Sequence, residues 1–469
     1  MRAKVLSLVL VVAMATACGA RVTKTQIESA GGASTARPAT ASQPSADTDP
    51  GGTDAVGAAD QSDGTAPTPG ATVTTAPGPT TPAASSGPTD NGGATDVGLT
   101  GTQMRLGSIT TLSGPVPGLF AGAVYGVQAW QAYQNSLGGI HGRKIAIDAR
   151  DDQFDTGQNR GQTREALARD FALVGSFSLY DDAAVGEIEK AGVTDVHVPL
   201  ANAAQQSPNN FSVNPVKRGT PTGPWELLKS KFPGSVGAVA GIYGDVPAAK
   251  DSFLNVKNAM QSLGYKFVYE RGYQPTETDF TADVVRMKSA GVKFFMTGGD
   301  VKTVARLAKA MKAQNFKPDV FVAFGTAYDA SFPVLAGDAG EGVINVGTQA
   351  MYMGEDAATT PEVKLFLTWL AKVKPGYKPD LFAAYGWSSG RLFAKAAHDA
   401  GPKLTRPGML AAMRKINDWN AYGLLPAAGP ATKRPATCFL FEVVRNGGFQ
   451  RWSSPPSGFN CNGHFVARP

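Results

Sequence analysis

The chain has 469 residues, 42% of them hydrophobic, with 55 Gly and 32 Pro. That length suits two or three domains and that apolar share suits a real core. The formal charge of +6 is spread without any dense Lys/Arg run, which argues against a dedicated nucleic-acid surface, since such a surface needs a clustered basic stripe.

In chain order, the first element reads as an export signal. Arg2 and Lys4 give a positive start, and residues 5–14 form an apolar core. This run is too short for a bilayer, where about 20 residues are needed, and fits the h-region of a signal peptide over 1–17. Ala15-Thr16-Ala17-Cys18 resembles a bacterial lipobox, with Ala15 where Leu is usual. The resemblance implies a lipid on Cys18 and a protein held at the outer face of the cell membrane. The alternative is ordinary cleavage near Ala17, leaving a soluble protein.

Residues 18–98 are dominated by Ala, Thr, Pro, Gly, Ser and Asp, and the first aromatic residue of the chain is Phe120. Such a segment buries too little surface to offset its ordering entropy. It is expected to be a disordered tether with an r.m.s. span of about 50 Å. It carries three basic and eight acidic side chains, so residues 99–469 hold a formal +9.

From 102 onward short apolar runs alternate with helical periodicity. Strands are predicted at 104–109, 144–148, 171–175 and 196–200, with helices at 118–137, 157–169 and 183–191 between them. After a loop at 219–224 the rhythm resumes, with strands at 236–242, 266–269, 293–297, 320–324 and 343–346. Phe253, Val256, Met260 and Leu263, then Val304, Leu307, Ala308 and Met311, mark helical faces between these strands. Helical stretches at 363–370, 392–397 and 410–416 and strands at 437–444 and 449–452 close the chain. Strands of four to six residues alternating with helices imply an α/β fold of parallel sheets with crossover helices. Cys438 and Cys461 are an even pair in an exported chain, which favours a disulfide contributing about 3 kcal/mol.

Three spaced strings carry a family resemblance: Leu112-Ser113-Gly114-Pro115, Gly138-Gly139-Ile140-His141-Gly142-Arg143-Lys144-Ile145 and Asp151-Asp152-Gln153-Phe154-Asp155. Together with Asp195-Val196-His197-Val198-Pro199, residues 417–423 and Arg445-Asn446-Gly447-Gly448-Phe449, they resemble type I periplasmic binding proteins of the branched-chain amino-acid kind. The resemblance spans 102–469. It implies two Rossmann-like lobes joined by three hinge strands, with lobe 1 at 102–219 and 350–425 and lobe 2 at 220–349 and 426–469. It implies a small polar solute (an amino acid, aromatic acid or amide) held between the lobes of a monomer and passed to an ABC permease in the membrane. No enzyme activity, nucleic-acid partner or cofactor is expected.

Ligands of open parallel sheets bind beyond the carboxyl ends of the strands. The candidate contacts are therefore Ser113, Leu119, Ser178, Leu179, Tyr180, Asn202 and Ala203 in lobe 1, and Tyr243, Asp245, Asp300, Thr326 and Tyr328 in lobe 2. The resemblance implies a Ser and a Thr for a ligand carboxylate and a Glu for its ammonium; these positions fall at Leu179, Asn202 and Gly325. The aromatic walls of the family fall at Ala248 and Asp300. An unpaired buried ammonium is costly, so either Asp300 replaces the missing Glu or the ligand has no ammonium. Asp151 and Asp152 read as cap and surface residues.

Two other functions also fit parts of the sequence. The same fold can serve as a ligand sensor for a receptor or regulator. Gly386-Trp387-Ser388-Ser389-Gly390 matches a nucleophile elbow, with Asp399 or Asp418 and His464 as partners in permissible order; it requires Ser388 on a sharp exposed turn. His141, His197, His398 and His464 are scattered, and no pair has metal-ligand helical spacing.

Overall fold

The computed structural model describes residues 90–215, 219–453 and 455–468. The signal peptide, Cys18 and the tether up to residue 89 lie outside them. The packed body nevertheless starts earlier than the predicted 102, because Arg143 is fully buried and needs acceptors. Its guanidinium donates to the carbonyls of Asn91, Gly93, Thr100 and Pro402 at 2.5–2.9 Å. Residues 91–100 are thereby fixed against lobe 1.

Lobe 1 is built on β1 (Gln103–Thr110), β2 (Lys144–Asp151), β3 (Ala172–Val174) and β4 (Asp195–Val196). They form one sheet in the order β2-β1-β3-β4, with every pair parallel. β1 is buried almost end to end, as a parallel strand covered on both faces must be. β4 is shorter than the predicted 196–200. Pro199 has no N–H for a ladder, and the N–H groups of Leu200 and Ala201 go to the Asp181 carboxylate instead.

β5 (Gly219–Pro221) begins the second half. β6 (Val239–Gly244), β7 (Phe267–Tyr273), β8 (Phe294–Thr297), β9 (Val320–Phe324), β10 (Ile344–Gly347), β11 (Leu440–Arg445) and β12 (Gly448–Arg451) form a seven-stranded sheet. Its order is β12-β11-β10-β9-β8-β6-β7; β11 joins β10 antiparallel and β12 completes a hairpin. β13 (Phe465–Ala467) pairs antiparallel with β5. The expected disulfide between Cys438 and Cys461 is formed, and it staples this tail to the start of β11.

The largest difference from the sequence reading is the helix Leu381–Ala400, which that reading recognised only over 392–397. It packs along the helix Ala121–Ser136 at backbone contact. A Cβ on Gly126 would sit 2.0 Å from the Ala383 carbonyl oxygen, and one on Gly386 would sit 2.1 Å from that of Ala123. The glycines at 386 and 390 are thus spacing residues for two crossing helices. Ser388 lies fully buried in mid-helix, on no turn. Its proposed partners are occupied elsewhere: Asp399 with Lys395, Asp418 with Arg434, and His464 beside Thr222 and Glu226. The hydrolase reading is withdrawn on this geometry.

The chain passes between the halves three times, before β5, after β10 and before β11. The last passage is later than the predicted 426. Ala428 still pairs with Trp419, and the Lys433 ammonium donates to the Asn210 carbonyl of lobe 1. Tyr385 ties two of these passages together. Its hydroxyl accepts from Asn214 and shares a hydrogen bond with Thr348, each at 3.0 Å, while its ring stacks on Phe177.

Candidate functional site

The carboxyl ends of β1, β3 and β4 give loops 111–120, 176–181 and 197–203. Those of β6, β8 and β9 give loops 245–246, 298–300 and 325–330. The β9 loop touches lobe 1 directly: a Cβ on Gly325 would lie 2.9 Å from Leu381 Cδ2. Leu381 therefore takes the space that a side chain at 325 would need. The β9 tip thus approaches lobe 1 at the start of the helix Leu381–Ala400.

In lobe 1 the polar groups of these loops are bound to one another. The Ser113 hydroxyl donates to Asp151 at 2.5 Å, and the Leu112 and Ser113 N–H groups donate to the same carboxylate. Asp151 is held below its usual range by these bonds, which outweigh the upward push of burial. Ser178 is buried and donates to Asp152, which also receives Asn159 at 3.1 Å. The acidic pair expected to be cap and surface residues therefore differs internally: Asp151 braces the first loop, and Asp152 is fully buried beneath the second.

Beside them His197 lies buried, 2.7 Å from Asp195 and 3.5 Å from Asp181. Burial alone lowers the imidazole, but the two carboxylates prevail and lift it to about 10. Burial pushes Asp181 up, against the pull of His197 and of the Leu200 and Ala201 N–H groups. A cavity of about 20 Å³ opens among Ser176, Ser178, Asp181, Asp195 and His197, the volume of one water and no more.

The remaining predicted residues divide by exposure. Leu119, Leu179 and Tyr180 are half-buried, with the Tyr180 ring against Phe154 at 5.6 Å. Asn202 opens the short helix Asn202–Gln206 and accepts from Gln206, while Ala203 faces solvent. In lobe 2, Tyr243 stacks on Phe253 at 4.4 Å and Asp245 is exposed, accepting from Gln274. Thr326 donates to the Gly299 carbonyl at 2.8 Å. Asp300 caps the helix Val301–Ala313, accepting from the Lys302 and Thr303 N–H groups and the Thr303 hydroxyl.

Tyr328 is corrected. It is fully buried between Tyr352 and Phe449, each ring 4.8 Å away, and its hydroxyl accepts from the Met353 N–H. It is a core residue at the lobe junction and offers no stacking face to a ligand.

Sequence reasoning missed Asp181, Leu381 and Tyr385. Asp181 directly follows a candidate residue, so proximity to a strand end was the available signal there. It also missed that His141 and His398 meet, with ring centroids 5.2 Å apart. Among the described residues no group of three metal-ligand side chains occurs, and no helix is long and apolar enough to cross a membrane.

A cavity of about 530 Å³ lies at the opposite end of lobe 2, near Met311, Phe316, Phe321 and Val343. It opens at the amino ends of β9 and β10, the wrong end of a parallel sheet for the ligand site.

Comparison with known proteins bears on the same region. A family profile described as periplasmic binding protein matches residues 103–448. Leu/Ile/Val-binding protein homolog 1 of Brucella abortus (strain 2308) is 26% identical over 292 residues, 60% of this chain and 75% of that protein. A fatty acid ABC transporter substrate-binding protein from Thermomonospora curvata superposes with a TM-score of 0.66 at 19% identity, covering 78% of this chain and 94% of that one. A branched-chain amino acid ABC transporter protein from Thermus thermophilus with bound valine gives 0.65 at 17% identity, covering 77% and 97%.

Proposed function

Because the chain belongs to the periplasmic binding protein family and has its type I fold, we propose that it captures a solute between its two lobes and delivers it to an ABC importer from the outer face of the cell membrane. The observation that supports this reading is a pair of separate sheets joined by three chain passages, with Leu381 of one lobe against Gly325 at a strand tip of the other. Two α/β lobes so joined form a hinged clamp that can close around a solute and exclude water.

The ligand is not fixed by kinship. One relative is named for Leu/Ile/Val, one neighbour for a fatty acid, and one holds valine. In this chain the position that would hold a ligand ammonium is Gly325, and the lobe 1 hydroxyl of Ser178 is already bonded to Asp152. A thermal-shift screen of the chain against amino acids, aromatic acids, amides and urea tests the reading. A solute at 100 times its Kd adds about 2.7 kcal/mol. At least one class should respond while leucine gives little or no shift. A chain stabilised by no solute, with uptake unchanged when its gene is deleted, would exclude the transport role.

Anchoring by a lipid on Cys18 belongs to the same proposal. The run of small residues before that cysteine and the long polar segment after it support a body held off the membrane. Cys18→Ala should release the protein from the membrane fraction into the medium.

A further inference from the structure

Glu442 of β11 is fully buried. Its carboxyl accepts from two neutral amides, Asn345 on Oε2 at 2.7 Å and Gln349 on Oε1 at 3.0 Å. A cation stands across the strand, since the β11–β12 register sets Glu442 directly opposite Arg451. That guanidinium is engaged elsewhere. It donates to Asp356 at 2.6 Å and to the Gly458 carbonyl at 2.8 Å. The Arg451 and Asp356 side chains are both almost fully buried. Arg451 belongs to the seven-stranded sheet, whereas Asp356 lies beyond the second passage, in the segment that the Ala350 N–H fastens to the Leu424 carbonyl of lobe 1. The ion pair therefore joins the two halves of the molecule.

Two buried carboxyls thus flank one guanidinium. One cation balances one carboxylate, and a second buried charge beside it would stand unpaired. Arg451 Nε and Asn345 Oδ1 are both buried without a hydrogen-bond partner. The first is a donor of the kind a Glu442 carboxylate accepts from; the second is an acceptor of the kind a Glu442 hydroxyl fills. Burial pushes the Glu442 carboxyl up to about 8; Asp356 adds to the rise, while Asn345 and Arg451 oppose it. The other titratable groups facing it are the phenols of Tyr328 and Tyr352, both pushed further up by burial. The exposed Glu355 accepts from the Arg451 N–H.

We propose that the Arg451–Asp356 pair is a latch between the halves and that Glu442 sets it by competing for the same guanidinium. With Glu442 neutral, Arg451 stays on Asp356 and the latch is fastened. When the Glu442 proton leaves to solvent, the always-charged Arg451 turns its Nε toward the new carboxylate. The pair across the junction then weakens. The latch acts whichever solute is bound, and losing it leaves the transport reading intact.

Hydrogen exchange of the free full chain, corrected for intrinsic amide chemistry, reads the latch at the Met351 and Arg451 N–H groups, which donate to Asp356 and Glu355. From about pH 6 to about pH 9 their protection should fall at least tenfold in wild type. In Glu442→Gln, whose amide cannot ionise, it should stay constant. The same fall in both proteins would overturn the proposal, as would constant protection in wild type. Stability gives a second readout. The folded carboxyl titrates at about 8 against an ordinary 4.5, so the folded state holds the extra proton between those values. Wild type should therefore lose stability relative to Glu442→Gln as pH rises through that window, with His197 common to both. A third readout needs no substitution at Glu442. Asp356→Asn removes the competitor, so the neutral-acid carbonyl band in infrared difference spectra should disappear at least about one pH unit lower than in wild type. An unmoved band would show that the two carboxyls do not share Arg451 and would overturn the proposal.

Discussion

The two lobes finish their strands in different ways. Lobe 1 places a buried, cross-braced set of charges under its tips: Asp152, Asp181, Asp195 and His197. Lobe 2 ends its strands on helix caps and stacked rings, with Asp300 holding its own helix and Tyr243 lying on Phe253. Lobe 1 is thus preorganised by buried charge pairings, while the lobe 2 tips are held by a helix cap, ring stacking and hydrogen bonds from neutral donors. The difference teaches that the same strand-end position can serve as scaffold in one half and as adaptable wall in the other.

Removing the brace of lobe 1 should break the contrast most. His197→Gln leaves two buried carboxylates without their cation and should destabilise by about 3–5 kcal/mol in denaturant unfolding. The same variant exposes a pH dependence. The folded imidazole titrates at about 10 against an ordinary 6.5, so the folded state holds more protons between those values. Its stabilisation is complete below about pH 6.5 and drains away as pH rises toward 10. The stability gap between wild type and His197→Gln should therefore narrow across that window; a constant gap would refute the charged imidazole.

Next in size is the helix pair of lobe 1. Gly126→Val drives a side chain into the Ala383 carbonyl and should cost about 3 kcal/mol. The corresponding restraint of lobe 2 is covalent. Cys438→Ser should cost about 3 kcal/mol through the loop it opens, with the loss seen first as protease sensitivity of the tail. The smallest effect is expected at Ser388→Ala. The hydroxyl is buried without a hydrogen-bond partner, so its removal should change stability by less than about 1 kcal/mol. A large loss would mean that the hydroxyl has a role this packing does not explain.

Most of the fold was legible because its signals are local. The apolar runs at β1, β2, β6, β8 and β9 and the periodicity of Val304, Leu307, Ala308 and Met311 survive in a one-dimensional reading. The helix Leu381–Ala400 was not legible at full length. Gly386, Ser388, Ser389 and Gly390 dilute its apolar stripe, and their value lies in how closely they admit a second helix. The site was less legible still. Asp181 and His197, or His141 and His398, become partners only when distant segments fold together, and nothing in their local spacing announces it. Tyr328 misled for the same reason: a tyrosine just past a strand reads as a cleft wall, yet Tyr352 and Phe449 close over it.

The pairing of β5 with β13 bears on how the molecule comes into being. A nascent chain released amino end first presents Gly219–Pro221 long before Phe465–Ala467 exists to meet it. The helix Ala121–Ser136 likewise waits for Leu381–Ala400, and β10 for β11. Neither half can complete itself during synthesis, since such distant pairings require the closure of long loops. The polypeptide must then remain unfinished, with apolar surface exposed, until its tail arrives. The late tail thus holds both halves short of closure for most of synthesis.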